Sequence, residues 1–64
     1  MIKLKRLNHS EVILNCEIIE LIEETPDTVI TLVNGHKIVV KETADEIIEK
    51  VIAFKKKIHA ISQD

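Results

Sequence analysis

The chain has 64 residues, a formal charge of −2 and 45% hydrophobic residues, with Phe54 as its one aromatic and Cys16 as its one cysteine. A chain this short buries only about 60% of the surface its unfolded form exposes, so it makes one domain, over residues 1–64, that needs support from outside itself. One cysteine excludes an internal disulfide, no apolar run approaches the roughly 18 residues of a membrane span, and the opening MIKLKRLN is not a signal pattern. The expectation is a soluble, cytoplasmic protein without membrane insertion.

Ile2 and Leu4 alternate with Lys3 and Lys5, and Val12 and Leu14 repeat the pattern beyond Asn8-His9-Ser10. A period of two puts apolar side chains on one face of a strand, so the two segments predict a hairpin. Asn15 interrupts the run with a side chain suited to bond back to the backbone. It predicts a short turn over Cys16-Glu17-Ile18-Ile19 and a third strand at about 19–24. Helix is the competing reading there, because Ile18, Ile19 and Ile22 also share a helical face. Thr25-Pro26-Asp27-Thr28 predicts a β-turn with proline at its second position. A strand from Thr28 to Val33 follows. Asn34-Gly35 then offers two residues tolerant of positive φ for a tight turn into a returning strand over Lys37–Lys41.

A helix is predicted over about 44–61. Thr43 and Glu46 have capping-box spacing, Asp45, Glu46 and Glu49 suit the positive N-terminal end, and Lys55, Lys56 and Lys57 suit the other. Ala44, Ile47, Val51, Phe54, Ile58 and Ile61 recur at steps of three and four, widened by Ile48 and Ile52, and so mark a face for burial. The fold class is therefore α+β: a small antiparallel sheet of about five strands in two hairpins, over about 2–42, with one C-terminal helix packed on one face.

In the second hairpin Ile30, Leu32, Ile38 and Val40 share one face, and Val29, Val33 and Val39, beside Thr31 and joined by Ile13, occupy the other. One helix covers one face only. The second is expected to be covered by another copy of the chain, giving a homo-oligomer. Glu20, Glu23, Glu24 and Asp27 gather like charge around one strand and its turn, a repulsion that a basic patch on a protein partner would relieve. A solvated edge kept charged for solubility is the plainer alternative.

Little in the sequence points to catalysis. His9, His36 and His59 have no partner at metal-ligand spacing, Cys16 has no Cys-x-x-Cys partner, and Gly35 alone makes no phosphate loop. A non-enzymatic protein without metal or cofactor is expected. Lys3, Lys5, Lys37 and Lys41 on one sheet surface would suit RNA, so a small RNA-binding regulator is the alternative function. Against it stands the lack of aromatic rings on which bases stack, which makes a nucleic-acid partner unlikely in physical terms.

The opening MIKLKRLN, Leu14-Asn15, the run IIELIEETPDTVITLVNG and the following VVKE together resemble the FlbD/SwrD family of small flagellar and swarming motility proteins. The resemblance covers about residues 1–55, and the Thr-Pro-Asp-Thr turn leading through an alternating strand to Asn34-Gly35 is its most specific part. It implies a cytoplasmic bacterial protein, peripheral at the flagellar base, that supports motor function through a protein partner among the motor components, without catalysis. Where the family's first turn reads Asn-Gly this chain has Asn8-His9. Histidine accepts positive φ less readily than glycine, so a longer first turn is expected. The C-terminal KKKIHAISQD matches no family motif.

Overall fold

Alternation along the sequence becomes alternation in space. The computed structural model describes residues 1–62, with side chains as far as Ile58. Strand β1 (Ile2–Lys5) pairs antiparallel with β2 (Glu11–Leu14), and β3 (Ile19–Glu24), β4 (Thr28–Leu32) and β5 (Lys37–Val40) form a second antiparallel set in the order β3-β4-β5. Helix α1 runs from Ala44 to Ser62. His59, expected on the surface, and Ile61, expected on the apolar stripe, lie outside the residues whose side chains are described.

Register decides which side chains meet. Ile2 faces Leu14 and Leu4 faces Val12 in the first hairpin, while Ile22, Ile30 and Ile38 align across the second set. These share the inner face, where Ile2, Leu4, Leu14, Ile30, Leu32, Val40 and Ile47 form the buried core. Between β2 and β3 the Asn15 side chain accepts a hydrogen bond from the Glu17 amide at 3.0 Å and starts a single 3₁₀ turn over Cys16–Ile18. The residues after it are strand. The competing helical reading of 18–22 fails because Ile22 pairs with Ile30 across a ladder that also holds Glu23 and Glu24.

The two Asn-containing turns have one construction, and it corrects two expectations. Leu32 N–H donates to the His36 carbonyl at 2.8 Å and Gly35 N–H donates to the Leu32 carbonyl at 2.9 Å, so the loop is Val33-Asn34-Gly35. It has three residues, and Val33 belongs to it and not to β4. Only Gly35 takes positive φ (+90°), the arrangement of a tight turn closed by a glycine bulge. In the first hairpin Arg6 N–H donates to the Ser10 carbonyl and His9 N–H to the Arg6 carbonyl, both at 2.9 Å, with His9 at φ 71°. The turn is no longer than its counterpart. Asn8 and Asn34 each accept from the amide two residues on, at 3.0 Å, and this local bond steers the loop into the same shape with histidine in glycine's place. The Pro26 turn also differs from expectation: Glu24 pairs with Thr28, so the loop is Thr25-Pro26-Asp27, and the Thr25–Pro26 peptide is cis.

A single β-bridge, Arg6 to Val40, joins the two hairpins. Lys41 N–H donates to the Lys5 carbonyl at 2.7 Å and Leu7 N–H to the Val39 carbonyl at 3.3 Å. The Glu42 carboxylate then accepts the Lys5 N–H at 3.0 and 3.1 Å, ending the ladder with a side chain where a further strand residue would stand. The five strands thus follow one another around a partly rolled sheet.

Helix α1 packs on this sheet. Thr43 Oγ1 accepts from the Glu46 amide at 3.1 Å and Glu46 Oε1 accepts from the Thr43 amide at 2.8 Å, the reciprocal capping box read from the sequence. Ile47 is fully buried, and Ala44, Val51 and Phe54 are half-buried. Ile58, assigned to the same stripe, is 45% exposed. Before that point Lys55 Nζ reaches Glu17 Oε1 at 2.8 Å and ties the helix to the 3₁₀ turn.

Two tests follow from these contacts. Gly35 has open space around a would-be Cβ, so the cost of a side chain there is backbone cost alone: Gly35→Val should lose about 1–2 kcal/mol in chemical denaturation. His9→Gly, at the equivalent position, should gain stability. The Glu17–Lys55 contact lowers the Glu17 pKa below its usual 4.5, through the hydrogen bond first and charge attraction second, and raises Lys55 above its usual 10.5 for the same reasons. What the carboxylate contributes is present above pH 4.5 and lost as pH falls through the lowered value, whereas the ammonium contributes fully below 10.5 and loses it as pH rises through the raised value. Lys55→Met should return the Glu17 titration, followed by NMR, toward 4.5.

Candidate functional site

The outward face of β3-β4-β5 carries the first candidate surface. Val29 stands directly opposite Val39, and Thr31 lies between Leu21 on β3 and Lys37 on β5. Val29 and Val39 are half-buried, Leu21 is 43% exposed, and Leu7, whose amide bonds to Val39, is also exposed. Of the four residues expected to mediate self-association, the fold brings Val29 and Val39 together. Val33 sits at the tip of the turn, and Ile13 lies on β2 opposite Lys3, in the other hairpin. Leu21 escaped the sequence reading because a bulge between Ile19 and Leu21 shifts the β3 alternation, and only the register shows that Leu21 points outward. Thr31 is buried at the centre of this face with its hydroxyl unpartnered.

A second apolar region lies on the helix side. Cys16, Ile19 and Ile22 face Ile48, Val51 and Ile52 across a groove of about 240 Å³, with Ile48 and Ile52 largely exposed. Cys16 is a half-buried thiol that packs against the core.

The acidic set divides. Glu24 Oε1 accepts the Ala44 N–H at 2.9 Å, placing a carboxylate on the positive end of α1, where it satisfies an amide the helix itself leaves unpaired. Glu24 thus positions the helix. Glu20 at the bulge, Glu23 opposite Val29 and Asp27 in the loop are exposed and accept no hydrogen bond among the described residues. The lysines divide as well: Lys3 and Lys5 project from β1, Lys37 lies beside Thr31, and Lys41 follows β5. Lys37 is three positions along β5 from the bridge to β1, about 10 Å away.

Among the described residues no group of three or more His, Cys, Asp or Glu side chains converges to hold a metal ion. No helix among them is long and apolar enough to cross a membrane. The role of Glu24 is open to test: Glu24→Ala should lower stability by about 1 kcal/mol, with Glu24→Gln in between because its amide oxygen still accepts the bond. Unchanged melting of both variants would return Glu24 to the exposed acidic surface.

A family model described as flagellar and swarming motility proteins, FlbD, matches residues 1–59. No curated protein and no solved structure matches the chain. The match takes in both hairpins, the proline turn and all but the end of the helix, so the chain belongs to the FlbD family of flagellar and swarming motility proteins.

Proposed function

We propose that this chain acts by binding and not by catalysis, as a small self-associating scaffold that supports the flagellar motor through contact with a motor component, at the cytoplasmic side of the flagellar base. The family supplies the process. The observation that carries the mode of action is the outer face of β3-β4-β5, where Val29, Val39, Leu21 and Leu7 surround the buried, unpartnered hydroxyl of Thr31. An aliphatic patch of this kind is favourable to cover, because a docking chain removes its apolar area from water. A second copy is the natural cover for so small a domain. Glu20, Glu23 and Asp27 border that patch and would contact a basic surface of the motor component.

Light scattering across a concentration series tests the assembly. The parent is expected above monomer mass at micromolar concentrations, and Leu21→Lys with Val39→Lys should yield a folded monomer that supports less swarming. A folded monomeric parent would remove the self-association reading. A monomeric double variant with normal motility would show that assembly is not how the protein works.

A further inference from the structure

A third surface lies between the start of β1 and the flank of α1, where a groove of about 380 Å³ is lined by apolar Ile2, Ala53 and Phe54 and by Lys3, Lys50 and Lys57. The helix residues recur at steps of three and four, so they share one face, and Lys50 and Lys57 stand two turns apart, about 10 Å along the axis. An extended chain rises about 3.4 Å per residue and presents alternate residues on one face, so carboxylates two and four residues apart, about 7 and 14 Å, bracket that separation within reach of the long lysine side chains. Among the described residues the one ammonium–carboxylate contact is Lys55–Glu17, and the three groove lysines are therefore uncompensated.

The same end of β1 is an open strand edge. Lys5 turns both its N–H and its C=O toward β5, engaged by Glu42 and by Lys41. By the two-residue repeat of a strand, the N–H and C=O of Lys3 point to that same side, and no hydrogen bond engages them among the described residues. Lys3 thus brings to the groove a backbone donor and a backbone acceptor.

We propose that this groove receives an extended acidic segment of a partner protein, which adds to the edge of β1 at the Lys3 backbone and sets its carboxylates against Lys50 and Lys57. This rests on the reading that the chain works by binding. A peptide answers both halves of the Lys3 backbone, because it donates and accepts, whereas a phosphodiester strand only accepts. The aliphatic lining favours the same occupant: it covers the stems of Glu side chains, and it lacks the exposed rings on which nucleobases stack.

Fluorescence anisotropy with a labelled peptide alternating Glu and Thr tests this, with the Gln-for-Glu peptide, a single-stranded oligonucleotide and phosphatidylserine vesicles as competitors. The Glu peptide should bind, weaken as salt rises, and lose about tenfold in affinity in Lys50→Glu with Lys57→Glu, while Lys56→Glu, outside the groove, changes it little. Circular dichroism of each variant secures the fold. Equal binding of the Gln peptide, an equal loss in Lys56→Glu, or displacement of the peptide by the oligonucleotide or the vesicles at lower concentration would each overturn the proposal. None of these outcomes bears on the mass measured by light scattering, so the groove and the self-association reading fail separately.

Discussion

The seam between β1 and β5 is the constraint on which the rest of the molecule depends. Each hairpin alone has one apolar face and too few strands to hold it out of water, and a two-stranded hairpin is marginal in isolation. The Arg6–Val40 bridge, with the Lys41 and Leu7 amides on either side, brings Leu4 and Val40 into one core. Three polar contacts thereby let seven aliphatic side chains bury one another. The Glu42 carboxylate closes the seam by occupying the Lys5 amide, and so leaves the first half of β1 as a free edge.

The helix is held by carboxylates as much as by its apolar face. Glu46 and Glu24 answer amides at its start, and Glu17 holds Lys55 three turns on. Between them only Ile47 is wholly enclosed, with Val51 and Phe54 half-covered. A helix of this length anchored through so few apolar contacts keeps much of its surface for other purposes. The acidic character of the chain is therefore partly structural: three of its glutamates position the helix before any partner is considered.

Much of the architecture was legible in the residues, and for physical reasons. Strict alternation at Ile2–Lys5, the Asn15 side chain, the Thr43–Glu46 pair and Gly35 are local signals, and local signals survive folding unchanged. What could not be read depended on pairing across the chain. The bulge at β3 turned Leu21 outward, loop length moved Val33 out of its strand, and Ile58, on the apolar stripe by spacing, stayed exposed. The role of Glu24 was invisible for the same reason: its partner is 20 residues away, and only the fold brings the two together. The candidate surfaces were the least legible, since Ile13 and Val39 are equally aliphatic in sequence and yet sit on different hairpins.

Besides the first half of β1, the outer sides of β2 and β3 carry no further strand among the described residues. Unpaired edges invite strand-to-strand growth without end, the route to fibres. Along β3 that growth would bring Glu20 and Glu23 of one copy against the same residues of an antiparallel neighbour, a ladder of like charges that opposes its own extension. Antiparallel pairing of one β3 edge with another is thereby disfavoured. Negative charge on one short strand thus acts as a guard: it protects an open edge from strand addition by further copies.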